Sequence, residues 1–137
     1  MKKKVLFLCT ANSCRSQMAE GLANHFLGDR VVAVSAGTEA SFVNPRAISV
    51  LQEIGIDISR HYSKNMDEFS GQEFDYVITL CADANEKCPV FFGGVERTHM
   101  GFRDPAKATG NEEQVLAEFR AVRDLIKHSL IEFFGSE

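Results

Sequence analysis

An eight-residue loop near the start of the sequence combines a thiol with an arginine in a pattern that suits reactions of anions. A cysteine at a helix N-terminus beside an arginine ionises readily, and its thiolate is a nucleophile. The arginine offers a planar fork of donors that can hold two oxygens of a tetrahedral anion. We therefore predict that Cys9 is a nucleophile and that Arg15 grips an oxyanion; the alternative is a small buried thiol and a surface charge. The loop consists of Cys9, Thr10, Ala11, Asn12, Ser13, Cys14, Arg15 and Ser16.

Composition limits the kinds of function that this loop can serve. The 137 residues, 45% of them apolar, suffice for one core, and we expect a single domain over residues 1–137. The net charge of −4 argues against nucleic acid or an anionic membrane as a partner. The apolar run after Lys4 stops at Asn12, which is too short for a signal peptide or a membrane span. We therefore expect a cytoplasmic protein that acts as a monomer.

Strand and helix patterns alternate along the chain. Short apolar, β-rich runs predict buried strands at 5–8, 31–34 and 76–80. A helix is expected from about residue 16 to 27, with apolar Met18, Leu22 and Phe26 on one face. The alternation predicts an α/β fold with an open, mostly parallel sheet of about four strands flanked by helices.

Local capping signals place the other two helices. Asn44 and Pro45 begin one helix, which Gly55 ends. Asn111 caps a long final helix with an apolar stripe. The stripe consists of Val115, Phe119, Val122, Ile126 and Phe133.

Two cysteines are expected to meet at one edge of the sheet. Cys9 directly follows the first apolar run, and Cys81 directly follows the third. Ligands of parallel α/β sheets bind at the carboxyl ends of the strands, so we expect the functional site there. Because structural disulfides are rare in a reducing cytosol, the four cysteines are catalytic, metal-binding or buried. Cys14 is interpreted as structural.

The loop sequence CTANSCRS together with Asp104-Pro105 resembles the low-molecular-weight tyrosine phosphatase family, and within it the thioredoxin-coupled arsenate reductases. The segments CRSQMAEG, GIDIS, VITLCADANEKCP and GFRDPA are similar to segments of that branch and span nearly the whole chain. The resemblance implies a phosphatase-like fold and an enzyme that reduces arsenate to arsenite in arsenic detoxification. It also implies binding of other tetrahedral oxyanions, such as phosphate and sulfate.

The resemblance further implies a relay of three thiols. In that mechanism Cys9 attacks arsenate, Cys81 attacks the Cys9 sulfur as arsenite leaves, and Cys88 then attacks Cys81. Thioredoxin, an external reductant rather than a bound cofactor, would reduce the remaining Cys81–Cys88 disulfide. A helix through residues 82–87 would hold these two cysteines about 10 Å apart, so this segment must unwind for the bond to form.

Two other functions stay open at the level of the sequence. A low-molecular-weight phosphatase needs only Cys9, Arg15 and an acid such as Asp104, and it would leave Cys81 and Cys88 as unrelated thiols. A non-enzymatic arsenite-binding or metal-binding module would use the cysteines as ligands. Their spacings do not match common zinc sites, and Arg15 would repel a cation.

One further expectation concerns a cation site. Potassium-binding relatives use positions that match Asn12, Glu20, Ser35, Tyr62 and Lys64, where the last two are usually threonine and aspartate. We expect no metal here; the hypothesis is that the ammonium of Lys64 replaces the ion in a degenerate site. The alternative is that Lys64 is an ordinary solvated surface lysine.

Overall fold

In the part of the chain that the structure describes, four parallel strands form one sheet, with the second and fourth strands at its edges and the first beside the third. The computed structural model describes residues 2–82 and 93–135. The predicted α/β fold with an open, mostly parallel sheet of about four strands is confirmed. Three strands coincide with the predicted apolar runs, whereas the edge strand β4, GVERTH, is too polar to show one. The strands are β1 (Lys3–Cys9), β2 (Val31–Gly37), β3 (Phe74–Thr79) and β4 (Gly94–His99).

The second and third α-helices within the described ranges begin where the capping residues predict, and the first begins one residue before the predicted start. They are α1 (Arg15–Phe26), α2 (Pro45–Gln52) and α3 (Glu112–Phe134), and two 3-10 helices span Met66–Phe69 and Pro105–Lys107. The Asn44 side chain accepts a hydrogen bond from the main chain at the start of α2, and Asn111 forms a capping box with Gln114. The regular hydrogen bonding of α2 ends at Gln52, and Gly55, with a φ of 84°, closes the turn that follows, as predicted: its N–H donates to the Gln52 carbonyl and the Ile56 N–H donates to the Leu51 carbonyl. None of the helices in residues 2–82 and 93–135 could cross a membrane.

The predicted apolar stripes are confirmed except at their last residues. Phe26 and Phe133 are both 37% exposed, whereas Leu27 and Phe134 are buried. In the second half of α3 the buried apolar positions are Ile126, Leu130 and Phe134, because a spacing of four residues keeps side chains on one helix face. The rings of Phe133 and Phe134 both contact Tyr76 in an edge-to-face arrangement.

Within the described residues, a different apolar cluster packs against each face of the sheet. Side chains alternate along a strand, so Val5 and Phe7 face one way and Leu6 and Leu8 the other. Val5 and Phe7 share one apolar cluster with the buried residues of all three α-helices. Leu6 and Leu8 lie in a second cluster, which includes Met66 of the 3-10 helix. The packing places the start of α1 directly over the carboxyl end of β1.

Candidate active site

The loop after β1 is braced from outside through its carbonyl oxygens. The Thr10 carbonyl accepts hydrogen bonds from the N–H groups of Thr38 and Glu39, both at 3.0 Å, and the Ser13 carbonyl accepts one from Asn44 at 3.1 Å. The C=O and N–H of a trans peptide point in opposite directions. The N–H groups that share a peptide with the Thr10 and Ser13 carbonyls therefore point away from the residues that bind those carbonyls. N–H groups on the concave side, beside the start of a helix, form a site for an anion.

A chain of hydrogen bonds leads from Asn12 to the predicted nucleophile. The Asn12 backbone has a φ of 50°, in the left-handed region predicted for this tight turn. Its Nδ2 donates to Ser16 Oγ at 2.8 Å, and Ser16 Oγ lies 2.9 Å from Cys9 Sγ. Because the serine oxygen accepts from Asn12, the hydroxyl hydrogen is available to the sulfur. All three side chains are buried, and a hydrogen bond donated to sulfur there favours a charged thiolate.

Arg15 and Asp104 form the wall opposite Cys9. Arg15 is the first residue of α1, and its Nη1 donates to the Phe102 carbonyl at 3.1 Å. Its Nη2 lies 3.8 Å from Asp104 Oδ2, while Asp104 Oδ1 accepts from the Ala106 N–H at 3.0 Å. The guanidinium is buried and fixed by the main chain, as binding of an anion requires.

Cys9, Arg15 and Asp104 line a single pocket of about 220 Å³. This volume is smaller than the roughly 300–1,000 Å³ of sites for drug-sized ligands, and it suits a small anion. Phe42, at its rim, is 63% exposed and carried no signal in the sequence because a single exposed aromatic residue belongs to no pattern. The remaining lining residues are Ala11, Ser13, Cys14, Ser41, Asn44 and Ala106.

Cys14 is the second thiol of the loop, and its surroundings keep it protonated. Burial, followed by the neighbouring Asp104 carboxylate, raises the pKa of Cys14 to about 12. At neutral pH it is therefore a neutral thiol rather than a nucleophile. This agrees with its interpretation as a structural residue.

Cys81 reaches the same edge of the sheet from the neighbouring strand. Strands β1 and β3 are adjacent and parallel, and the Leu80 N–H donates to the Leu8 carbonyl at 2.9 Å. Leu8 pairs with Thr79 in the sheet register, so Cys81 lies one residue beyond the position level with Cys9, at the same edge of the sheet. The Cys81 side chain is buried. Cys88 and most of the segment expected to unwind lie outside the described residues.

The residues of the expected degenerate potassium site lie together behind the loop. Ser35 Oγ donates to Glu20 Oε1 at 2.7 Å, and Lys64 Nζ lies 3.9 Å from the same oxygen. Lys64 Nζ also donates to the Tyr62 carbonyl at 3.1 Å, and its side chain is only 8% exposed. The side-chain oxygen of Asn12, Oδ1, already accepts a hydrogen bond from the main-chain N–H of Lys64 at 2.9 Å. With an ammonium among these oxygens, the residues do not fit a potassium ion.

Sequence reasoning did not single out two residues that support the loop. Gln17 is fully buried, and its side chain donates a hydrogen bond to Asn12. The sequence indicated such a role only through its position as the third residue of a helix, where glutamine side chains often bind near the helix start. Gly37 ends β2 against the loop backbone, a contact that depends on sheet register and leaves no local pattern.

The parallel sheet, the cysteine after β1 and the arginine that opens α1 define an α/β protein of the phosphatase-like class, with an anion loop at its carboxyl edge. A family model described as low molecular weight phosphotyrosine protein phosphatase matches residues 4–136, and the chain belongs to this family. The resemblance drawn from the sequence motifs is thereby confirmed.

Similar proteins within this family are arsenate reductases. The chain is 50% identical over 134 residues to the arsenate reductase of Bacillus subtilis (strain 168), covering 97% of this chain and 96% of that one. A solved structure of an arsenate reductase in the phosphate binding state has a TM-score of 0.81 at 36% identity, covering 97% and 96% of the two chains. A thioredoxin-dependent arsenate reductase of Corynebacterium glutamicum has a TM-score of 0.61 at 28% identity, covering 96% of this chain and 63% of that chain.

Proposed function

We propose that this protein is an enzyme that reduces arsenate to arsenite, with Cys9 as the nucleophile. The observation that carries the proposal is the arrangement of the thiols: Cys9 lines a small anion pocket with Arg15, while Cys81 follows the adjacent strand at the same edge of the sheet. The relative from Bacillus subtilis, an arsenate reductase at 50% identity, supports the same reaction. The similar structure in a phosphate binding state supports binding of phosphate, and by the same tetrahedral chemistry sulfate.

In the first step, the Cys9 thiolate bonds to arsenic and one arsenate oxygen leaves as water. Arg15 and the loop N–H groups hold the remaining oxygens and stabilise their negative charge. Asp104 lies on the pocket wall, where its carboxyl group supplies a proton to the departing oxygen. No metal and no bound cofactor takes part in this step.

In the second step, the Cys81 thiolate attacks the Cys9 sulfur. A disulfide forms between the two sulfurs, the sulfur–arsenic bond breaks, and its electron pair reduces arsenic as arsenite leaves. Cys88 then attacks Cys81, which frees Cys9 and leaves a Cys81–Cys88 disulfide. An external dithiol, thioredoxin, reduces this disulfide; the thioredoxin-dependent relative from Corynebacterium glutamicum supports that choice. Such a relay needs reduced thiols, so we propose that the protein acts in the cytoplasm. We also propose that it acts as a monomer, because all the thiols of the relay belong to one chain.

We further propose that Lys64 supplies a fixed positive charge behind the anion loop. Its ammonium lies 3.9 Å from Glu20 and is nearly buried, so the pair is shielded from solvent. Its main-chain N–H also donates to Asn12, which connects this charge to the loop. Exchange of potassium for sodium should therefore leave the site unchanged.

A low-molecular-weight phosphatase is the second candidate. Cys9, Arg15 and Asp104 in one pocket are the groups that phosphate ester hydrolysis requires. That reaction gives no role to Cys81, so we expect at most a weak side activity. A module that binds arsenite or a metal through its thiols is disfavoured, because the Arg15 guanidinium lines the pocket beside Cys9.

The test is arsenate-dependent NADPH oxidation in the presence of thioredoxin and thioredoxin reductase, with aryl phosphate hydrolysis measured in parallel. Cys9→Ser should abolish both reactions, because a serine hydroxyl is essentially un-ionised in the same field. Rapid aryl phosphate hydrolysis without arsenate reduction would instead identify a phosphatase.

A matched pair of variants tests the order of the relay. Cys88→Ala should release about one arsenite per enzyme and accumulate a Cys9–Cys81 disulfide, detectable by mass spectrometry of peptides. Cys81→Ala should release none. Free thiols throughout after stoichiometric arsenite release, or equal release by both variants, would contradict the relay.

A further inference from the structure

Gln17 is the third residue of α1, and its side chain is fully buried behind the anion loop. Its Nε2 lies 2.9 Å from Asn12 Oδ1, 3.2 Å from the Asn12 carbonyl oxygen and 3.0 Å from the Tyr62 carbonyl oxygen. Its Oε1 lies 3.0 Å from Nδ1 of His61. Because one end of the amide faces three oxygens, that end carries the nitrogen, and the direction of every hydrogen bond follows.

Gln114 occupies the same helical position in α3 and shows what such a residue ordinarily does. Its Oε1 accepts from the main-chain N–H of Asn111 at 2.9 Å and completes the capping box of its own helix. In α1 the N-cap residue, Cys14, makes no capping hydrogen bond through its side chain. Gln17 instead reaches Asn12, so the third position of α1 supports the anion loop rather than the helix end.

The orientation of the Asn12 amide decides where the Ser16 hydroxyl hydrogen points. Asn12 Nδ2 faces Ser16 Oγ, while Oδ1 accepts from Gln17 Nε2 and from the Lys64 N–H. If the amide turned over, its oxygen would face Ser16, and the hydroxyl would donate to Asn12 instead of the Cys9 sulfur. Gln17 is the side-chain donor to Oδ1 that opposes this reversal, and Ser35 Oγ, which accepts from Nδ2 at 3.0 Å, holds the other end of the amide. It also binds the Asn12 carbonyl, on a residue with strained left-handed backbone.

We propose that Gln17 is a positioning residue for the nucleophile, holding Asn12 so that Ser16 donates its hydrogen to Cys9. The Gln17 side chain forms hydrogen bonds with Asn12, Tyr62 and His61. It acts on the Cys9 sulfur indirectly, through Asn12 and Ser16. The arsenate readout below rests on the proposed function, whereas the alkylation readout does not.

The experiment compares Gln17→Met with Gln114→Met, the same exchange at the same helical position. The pH dependence of Cys9 alkylation by iodoacetamide, followed by mass spectrometry of peptides, reports the hydrogen bond to the sulfur directly. In Gln17→Met the pH midpoint should rise by about half a unit or more, because the charged form loses a donor. Its kcat/KM for arsenate should fall about tenfold or more, as expected for a displaced nucleophile. Gln114→Met should match the native protein in both measurements.

Gln17→Glu provides a second variant that keeps the length of the side chain and the acceptor for His61. It has no N–H for Asn12, and the nearby Lys64 ammonium, 3.1 Å from the Tyr62 carbonyl, can balance its charge. The pH midpoint should rise in this variant too. If folded Gln17 variants show the native midpoint and differ only in melting temperature, the residue is merely structural and the proposal is wrong. If the midpoint rises but even the native protein leaves arsenate unreduced, the proposed function fails while the positioning role stands.

Discussion

Replacing Gly37 by alanine should displace the anion loop, because there is no space for the added methyl group. Gly37 is the last residue of β2 and pairs with Cys9 in the sheet register. A Cβ at this position would lie 2.5 Å from the Thr10 carbonyl oxygen, 2.7 Å from the Cys9 carbonyl oxygen and 3.0 Å from the Asn12 nitrogen. All three are main-chain atoms, so no side-chain rotation relieves the contact.

The size of the displacement follows from these distances. An ordinary contact begins at 3.4 Å, so the Thr10 oxygen, 2.5 Å away, must move by about 0.9 Å. A shift of this size near a nucleophile lowers the rate by as much as about 100-fold, and we expect kcat/KM for arsenate to fall 10- to 100-fold. Overpacking typically costs about 1–3 kcal/mol. With an unfolding entropy of about 0.29 kcal/mol/K for 137 residues, the melting temperature should fall by about 3–10 °C.

Gly94→Ala is the matched control for this prediction. Its Cβ would lie 2.6 Å from Val77 Cγ2, at the opposite edge of the same sheet, where β4 begins. It should lower the melting temperature without changing the kinetics. Both variants are assayed for arsenate reduction and for alkylation of Cys9 at a temperature where calorimetry shows them folded. Native kinetics in Gly37→Ala, or an equal loss of activity in Gly94→Ala, would refute the steric reasoning.

Three further predictions concern charge, protonation and capping. If the Lys64 ammonium replaces the ion, as we propose, activity and melting temperature should be the same in potassium chloride and sodium chloride at equal ionic strength; clear stabilisation by millimolar potassium would contradict this. The folded-state pKa of Cys14 is raised, so its stabilising contribution is complete below the thiol's ordinary pKa and is lost as pH rises towards 12. The free energy of unfolding, measured by urea denaturation, should therefore fall between pH 8 and pH 10 by about 1–2 kcal/mol more in the native protein than in Cys14→Ala. Asn111→Ala should cost about 1 kcal/mol in urea unfolding through loss of the capping box, with unchanged alkylation of Cys9; an unchanged unfolding midpoint would show that the cap contributes nothing.

Charged pairs on the surface connect α3 with α2 and the turn that follows it. Arg120 pairs with Glu53 at 2.9 Å, and hydrogen bonding to Arg120 lowers the pKa of Glu53. Arg46 pairs with Glu112 at 2.7 Å. The side chains of Arg120 and Glu53 are 33% and 36% exposed, those of Arg46 and Glu112 more so, and ion pairs in contact with solvent contribute little to stability. The functional variants should therefore be interpreted through the loop and its supports rather than through this surface.

Local interactions made the active-site loop predictable from the sequence. Cys9 and Arg15 are close along the chain, and a strand end, a left-handed Asn12 and a helix start are each determined by neighbouring residues. The caps at Asn44 and Asn111 were predictable for the same reason, since a capping side chain binds main chain two or three residues away. The buried strands β1 to β3 followed from their continuous apolar runs.

Contacts between distant parts of the chain had to be decided by the tertiary structure. A lysine that is charged and flexible is usually solvated, and only the packing of residues 61–65 behind the loop buries Lys64 beside Glu20. Sheet register alone brings Gly37 against the Thr10 backbone. The side chain of Gln17 could have capped its own helix, but in the folded protein it donates a hydrogen bond to Asn12 instead. The sequence by itself thus determined the reactive groups and the loop that holds them, because those depend on near neighbours. Their support came from side chains and backbone that become neighbours only when the sheet and helices pack together.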